Sequence, residues 1–295
     1  MTVSLGSRAL NSPDRAARRL RRSRFDWGQP FVYVVALVIV GITVVPVAYI
    51  WINAFRTTAQ INADPAAWPT PWIVQNFVTV LSTSAFWTQV LNSSITALGT
   101  TAGVGILGVL AAFVIARYQF RGRDALYSLF TAGLLFPITV AILPLYLMLQ
   151  GLGLVNTLAG VIIPQIAFQL PVTIIILVPF LRAIPAELED AASIDGTSRF
   201  GFFWRIVLPL SGPGLVTVGV LAFVASWNAY LLPLLLLGDP TMQTLPLGVQ
   251  LFSTQYSQDT ALVLAFTTLA MLPAIIFFTI AQRNIVGGLT GAVKG

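Results

Sequence analysis

The sequence contains no histidine and no cysteine, and its single lysine is Lys294. Without cysteine the chain forms no disulfide and offers no thiolate to a metal; without histidine it lacks the commonest general base and metal ligand. A phosphate-binding loop of the form G-x-x-x-x-G-K-[ST] is excluded too, because Gly295 follows the lysine. We therefore predict no catalytic residues, no metal site and no cofactor bound by this chain. If ATP drives the protein, a partner subunit hydrolyses it.

Charged residues are also scarce. They make up 9% of the chain, whereas hydrophobic residues make up 57% and the mean hydropathy is +0.86. A soluble domain carries about 25% charged residues, so this composition indicates a polytopic membrane protein. Every acidic residue lies outside the long apolar runs. Because an acid inside a span is the usual proton-relay residue, this pattern argues against a proton-coupled transporter and favours a neutral polar substrate such as a sugar.

Six apolar runs reach the length of about 20 residues that a membrane helix needs. They cover residues 31–55, 86–116, 125–149, 158–181, 215–237 and 261–281. We expect an all-α membrane domain over 30–295, preceded by a basic tail over 1–29. Gly99, Gly103 and Gly108 in the second run predict a face that packs closely against another helix.

The basic residues are distributed very unevenly among the segments between these runs. Of the sixteen Lys and Arg residues, only Arg56 lies outside residues 1–29, 117–124, 182–205 and the C-terminal segment. Positive residues mark cytoplasmic loops, so both termini and the polar segment 182–213 are predicted to be cytoplasmic. The tail is expected to meet anionic lipids. No aromatic-interleaved basic domain is present, which argues against nucleic-acid binding.

The segment 185–213, PAELEDAASIDGTSRFGFFWRIVLPLSGP, is the main polar interruption of the apolar runs. Acids crowd the start of a predicted short helix, and Gly196 is placed for a left-handed C-terminal cap. Thr197 or Ser198 is expected to cap a second helix. Its helical spacing predicts one apolar face that anchors the segment to the bundle, formed by Phe200, Phe203, Trp204 and Val207.

This segment resembles the EAA loop of ABC-importer permeases, with the pattern E-A-A, three residues, G, nine residues, I-x-L-P. Here Asp190-Ala191-Ala192 stands three residues before Gly196, and nine more residues lead to Ile206-Val207-Leu208-Pro209. The resemblance implies a coupling helix that docks into a groove of a cytoplasmic ATPase subunit. The residues it assigns to this coupling are Glu187, Glu189, Asp190, Ala191, Ala192, Asp195, Gly196, Ile206, Leu208 and Pro209.

Further motifs resemble the maltose-type carbohydrate branch of this family and its shorter, six-helix subunit. They are Asn76-Phe77, Asn92-Ser93, Ala111-Ala112 with Ala116-Arg117, Ser226-Trp227-Asn228, the stretch from Thr244 to Gly248, and the ending from Gln282 to Gly295. The resemblance implies a type I importer fold in the bacterial inner membrane that moves a sugar by alternating access. It also implies a second, homologous permease, two ATPase subunits that use ATP and Mg, and an extracytoplasmic solute-binding protein.

Asn228, Trp227, Tyr230 and Gln169, with nearby Gln165, are the candidate residues lining the substrate path. A buried amide equally serves interhelical hydrogen bonding, and Trp or Tyr near a span end equally anchors the chain at the membrane surface. Two alternatives to sugar import stay open. One is the same machinery importing another polar solute, such as a glycerophosphodiester; the other is a stand-alone membrane enzyme.

Overall fold

The structure is a computed structural model that describes residues 28–253 and 258–293, with side chains described over 30–253 and 258–280. The predicted basic tail over 1–29 and the motif from Gln282 to Gly295 lie outside the residues whose side chains are described. The chain divides into two compact units, Met1–Tyr49 and Ile50–Gly295. The described residues of the first unit all lie in helix α1 (Gly28–Asn53). The last residues of this helix, from Ile50 onward, belong to the second unit.

The second unit is a succession of helices, and the predicted all-α class is confirmed. Its α-helices are α2 (Thr58–Ala63), α3 (Gln75–Ser82), α4 (Ser84–Arg117), α5 (Arg123–Gly133), α6 (Ile138–Gly151), α7 (Leu158–Arg182), α8 (Glu187–Ile194), α9 (Arg199–Phe202), α10 (Leu208–Leu210), α11 (Gly212–Trp227), α12 (Leu231–Leu236) and α13 (Thr260–Val293). A π-helix (Phe203–Val207) joins α9 to α10, and a 3-10 helix (Leu245–Phe252) precedes α13.

Among the described residues, four helices are long and apolar enough to cross a membrane: Pro30–Asn53 of α1, α4, α7 and Thr260–Ile280 of α13. The number rises to six when each of two bent pairs counts as one span. These pairs are α5 with α6, bent by 99°, and Arg199–Leu210 with α11, bent by 72°. The second and fourth predicted spans therefore agree with α4 and α7 to within two residues at each end.

Two of the six predicted spans are not continuous helices but are interrupted within the run. In the run 125–149, α5 ends at Gly133 and α6 begins at Ile138, directly after Pro137. Proline lacks the N–H that would continue a helix and keeps the preceding residue out of the helical region, so the chain turns there. In the run 215–237, α11 ends at Trp227 and α12 begins only at Leu231.

The closest packing in the second unit joins α4 to α7, as the glycines of α4 predict. A Cβ atom placed on Gly103 would overlap Cδ1 of Ile166, and one on Gly108 would overlap Cγ2 of Thr173. Because glycine carries no side chain, the two helices approach closely here without displacing Ile166 or Thr173. These two helices form the frame on which the remaining elements are placed.

Separate apolar clusters lie toward the two ends of this frame. One joins the last turns of α4 and α7 to the segment that follows α7, through Phe113, Leu181 and Phe203. The other joins the start of α4 to α11 and α13 through Phe86, Phe223 and Phe266. We call the first the coupling end and the second the opposite end.

The π-helix changes which aromatic residues anchor the segment after α7. Phe202, Phe203 and Val207 are buried, whereas Phe200 is 70% and Trp204 50% exposed. The predicted buried face is therefore correct at Phe203 and Val207 and wrong at Phe200 and Trp204. A π turn holds one more residue than an α turn, so it shifts the residues that follow around the axis. Leu208 N accordingly donates to Phe203 O, five residues back.

Candidate coupling site and polar cavity

Helix α8 forms a short projection at the coupling end, and its boundaries follow from its sequence. Glu187, Glu189 and Asp190 lie in its first turn, where the partial positive charge of the helix start stabilises carboxylates. Gly196 has φ +73°, the left-handed conformation predicted for it. Its N–H donates to Ser193 O, and Thr197 N donates to Ala192 O. These two bonds form a Schellman cap and end the helix sharply.

One side of α8 faces away from the rest of the chain. Glu187, Asp190, Ala191 and Asp195 are exposed on it. Ile194 on the same side is 86% exposed, so a large aliphatic side chain lies among these charged neighbours. Ile194 is not among the residues predicted for coupling, although its position between the alanine pair and Gly196 is a signal that could have identified it.

Other residues assigned to coupling face inward instead. Ala192 is buried in the cluster at the coupling end, where Ile206 and Leu208 also pack. The small Ala192 side chain thus lets α8 pack closely against the helix bundle of this chain, whereas the neighbouring Ala191 is exposed. Pro209 is exposed within α10.

Arg117, the last residue of α4, ties α8 to the frame. Its Nε donates to Glu189 Oε2 at 3.2 Å and its Nη1 to Ile184 O at 2.8 Å. Its Nη2 lies 3.0 Å from the same Glu189 oxygen, and the two side chains are 7% and 33% exposed. The guanidinium also lies over the Phe202 ring, 5.8 Å from its centroid. One cation therefore contacts the start of the coupling segment, α8 and α9.

Further arginines gather at the same end. Arg199 lies over the Tyr118 ring and Arg182 over the Tyr127 ring, with centroid distances of 5.3 and 5.9 Å. Arg123 Nε donates to Ile115 O at 2.8 Å. The arginines of the loops 117–124 and 182–205, which the sequence assigns to one side of the membrane, thus share one end of the molecule.

At the opposite end, two motifs of the sequence hold each other in place. Asn92 Nδ2 donates to Thr241 O at 2.9 Å and to Gln243 O at 3.0 Å, and Leu245 N donates to Ser93 Oγ at 2.7 Å. Hydrogen bonds from Thr241 to the Asp239 carboxylate lower the pKa of Asp239 and fix the turn before the 3-10 helix. These bonds dock the 238–248 segment onto the start of α4.

Arg56 organises the connection between α1 and α3 at this opposite end. It is buried, and its Nη1 donates to Asn53 Oδ1 at 2.7 Å, while its Nη2 donates to Gln60 O and Asp64 O at 2.8 Å. Asn76 donates to the carbonyls of Ala54 and Arg56. The single arginine outside the basic clusters therefore has a structural role.

The candidate substrate-lining residues separate into two cavities. Trp227 is buried, its Nε1 donates to Ala270 O at 3.1 Å, and its ring stacks on Phe223, so it belongs to the core. Trp227 and Asn228 line one cavity, and Asn228 Nδ2 donates to Val224 O at 2.9 Å. Gln169 and Tyr230 line a second cavity together with Gln165. The structure thus places the four proposed residues in two pairs, and the two pairs line different cavities.

Comparisons with known proteins agree on one family. Residues 104–290 match the family described as "Binding-protein-dependent transport system inner membrane component". The chain is 33% identical to the sulfoquinovosyl glycerol transport system permease protein SmoH of Agrobacterium fabrum, over 92% of this chain and 96% of that protein. It is 32% identical to the diacetylchitobiose uptake system permease protein NgcG of Streptomyces coelicolor, over 84% and 83% of the two chains.

The fold also matches a chain of a solved transporter. The crystal structure of a bacterial ABC transporter involved in the import of the acidic polysaccharide alginate aligns with a TM-score of 0.71 and 20% identity. The alignment covers 88% of this chain and 98% of that chain. The chain therefore belongs to the inner-membrane components of binding-protein-dependent transport systems, and it is a transport subunit of the ABC permease type, not an enzyme.

Proposed function

We propose that this chain is the permease subunit of an ATP-driven importer that moves a sugar or oligosaccharide across the bacterial inner membrane. ATP and Mg are used by two partner ATPase subunits, since this chain has no phosphate-binding loop. A second permease and an extracytoplasmic solute-binding protein complete the assembly. Relatives named for sulfoquinovosyl glycerol and diacetylchitobiose support a glycosidic substrate.

The observation that carries the ATPase coupling is the two-sided character of α8. Its outer side exposes acids and Ile194, which suit a groove with basic and apolar walls. Its inner side is fixed by Arg117 and by the buried Ala192. Because α8 is rigidly attached to α4 and α7, a movement of the ATPase bound to α8 also moves these two helices. In this proposal, closure of the two ATPases shifts α8 and switches the side to which the path opens.

The proposed orientation places the coupling end and both termini in the cytoplasm. It is supported by the arginines of the 117–124 and 182–205 loops, which share this end. The opposite end, with the segments held by Arg56 and Asn92, then faces the solute-binding protein.

Co-purification tests the ATPase coupling directly. The complex is extracted in detergent through a tag on this chain, with wild type compared with Ala191→Arg. Ala191 is exposed on the outer side of α8, so a bulky side chain there obstructs docking without disturbing the core. We expect the ATPase to accompany the wild type and to be lost from the variant.

Ala63→Arg serves as the matched control, because Ala63 is exposed in α2, outside the coupling segment. This variant should retain the ATPase. Equal retention of the ATPase by Ala191→Arg and the wild type would show that α8 is not the docking element. A wild-type chain that never co-purifies with an ATPase would overturn the importer assignment itself.

A further inference from the structure

Two adjoining cavities form one continuous groove along α4 at the coupling end. Their volumes are about 360 and 310 Å³, and they share Leu110 and Phe203. One wall consists of α4 residues from Ala102 onward, and the other consists of residues within 199–215. Ile106 and Leu110 of the first wall are 60% and 41% exposed, so the groove opens away from the rest of the described unit. We call it the α4 groove.

Most of the α4 groove is apolar, and its length is close to that of one leaflet. Among the described residues, the larger cavity is lined by aliphatic and aromatic side chains and by Gly105. Ala102 and Val114 of the α4 wall are separated by about 18 Å along the helix axis, whereas one leaflet contributes about 15 Å of hydrocarbon. Val114 lies in the last turn of α4, which ends at Arg117. The groove therefore extends from the interior of the membrane to its surface at the coupling end.

An arginine lies at the end of the α4 groove next to the membrane surface. Arg199 lines the smaller cavity, and its guanidinium lies over the Tyr118 ring, 5.3 Å from the centroid. Arg199 is exposed, and no carboxylate of the described residues forms an ion pair with it. Within the described part of the chain, no acidic side chain lines either cavity. The positive charge of Arg199 is therefore accessible to an anionic group from outside the chain.

The two aromatic residues that the π-helix leaves exposed also belong to this groove. Trp204 lines the larger cavity and Phe200 the smaller one, and their rings meet edge to face with centroids 5.8 Å apart. Aromatic side chains with an exposed face are enriched at the level of the lipid headgroups. Phe200 and Trp204 thus form an aromatic rim beside Arg199, which explains why they are exposed although the helical spacing predicts their burial.

We propose that the α4 groove binds one anionic phospholipid, with an acyl chain along the apolar wall and the headgroup at Arg199. A phospholipid has its apolar chain and its anionic group in the same order as the groove has its apolar wall and its cation. Basic pockets between membrane helices on the cytoplasmic side bind anionic headgroups in this way. Because one wall belongs to α4 and the other to the segment that follows α9, the lipid fills the space between the frame and the π-helix. The site is separate from the path of the transported solute and does not depend on its identity.

Native mass spectrometry of the complete transporter tests this site. The complex is purified in detergent, stripped of lipid and titrated with phosphatidylglycerol or with phosphatidylcholine of the same chain composition. The wild type should bind one phosphatidylglycerol more tightly than any phosphatidylcholine. Arg199→Gln should weaken this binding about fivefold, which is the contribution of one arginine near an anionic membrane surface. Arg121→Gln removes the same charge from an exposed position of the 117–124 loop and should bind as the wild type does.

A second variant blocks the acyl chain and leaves Arg199 in place. A Cβ atom on Gly105 would meet no atom within 4 Å, so the backbone accepts Gly105→Trp, and the indole occupies the groove. This variant should lose the tightly bound phosphatidylglycerol, with the ATPase and the second permease still present in the complex. Leu107→Trp is the matched control, because Leu107 is exposed on α4 outside the groove.

Three results would overturn the lipid site. They are equal binding of the two lipids by the wild type, unchanged phosphatidylglycerol binding in both Arg199→Gln and Gly105→Trp, and loss of the second permease from Gly105→Trp but not from Leu107→Trp. The last result would show that a helix of the partner permease occupies the groove. The importer function stands in all three cases, because it fails only if the wild type never co-purifies with an ATPase.

Discussion

At the scale of single residues, Arg117 positions the coupling segment, residues 182–213, through contacts with Ile184, Glu189 and Phe202. Its side chain is 7% exposed, so its positive charge is largely removed from water. Two of its nitrogens are directed at Glu189 and a third at Ile184 O. A buried charge is tolerated only when it is paired and hydrogen-bonded, and this pairing holds α8 against the end of α4.

Removing this charge should uncouple the transporter without removing the docking surface. Arg117→Met keeps the apolar length of the side chain but leaves Glu189 unpaired. Because Glu189 is one-third exposed, we expect a loss of stability on the order of 1–3 kcal/mol, less than for a fully buried pair. Sugar-stimulated ATPase activity of the purified complex should fall, while the unstimulated rate changes little.

Two further variants separate the ion pair from other effects. Exchanging the charges, with Arg117→Glu and Glu189→Arg together, should restore part of the stimulation. Arg121→Met, at an exposed arginine of the same loop, should behave as wild type. Full stimulation in Arg117→Met would show that the ion pair does not position α8.

The resemblance assigns Glu189 to the ATPase contact, and the sequence marks Arg117 as a topology signal and as the end of the Ala116-Arg117 motif. It could not show that they are partners, because 72 residues separate them and the pairing depends on how α4 meets α7. The same limit applies to the candidate lining. Trp227 and Asn228 are adjacent in the sequence and line the same cavity, yet the Trp227 side chain is buried and Asn228 is exposed. Hydropathy and spacing do not distinguish these environments.

At the scale of helices, the close packing of α4 against α7 sets the geometry of the bundle. Gly99, Gly103 and Gly108 lie against Ile162, Ile166 and Thr173 of α7. Gly103→Leu should force the helices apart and cost about 1–3 kcal/mol, because the added side chain overlaps Ile166. The thermal unfolding midpoint of the purified complex should fall accordingly.

Gly105 provides a matched control on the same helix. A Cβ atom at this position would meet no atom within 4 Å, so Gly105→Leu adds the same side chain without overlap. This variant should unfold near the wild-type temperature. A similar loss of stability in the two variants would mean that helix propensity or lipid contact, and not the contact with α7, explains the effect.

The helices also show what a sequence can predict of this fold. α4 and α7 are predicted well because each is a long, continuous apolar run with polar residues at both ends. The interruption after Trp227 is not predicted, since no glycine or proline lies within residues 228–230. The π-helix is not predicted either. Pro209 lacks the N–H that would hydrogen-bond to the preceding turn. Whether that turn breaks or widens into a π-helix depends on the packing of Phe202 and Phe203.

At the scale of the whole molecule, the arrangement of charge determines which way the chain crosses the membrane. Arg117, Arg123, Arg182 and Arg199 make their contacts at the coupling end, and Arg56 is buried at the opposite end. Arg56 is held in its buried position by hydrogen bonds to carbonyl groups of its own loop. It therefore does not weaken the topology signal of the clustered arginines.

Thiol labelling tests this orientation, and the absence of cysteine makes the natural sequence a ready background. Ala66→Cys places one thiol in the exposed loop between α2 and α3, and Gln119→Cys places one between α4 and α5. In intact spheroplasts a membrane-impermeant maleimide should label Ala66→Cys and not Gln119→Cys. After the membrane is permeabilised, both variants should react, which shows that the second thiol is accessible within the fold. Labelling of Gln119→Cys alone in intact spheroplasts would invert the topology, and the α8 surface would then face away from any cytoplasmic ATPase.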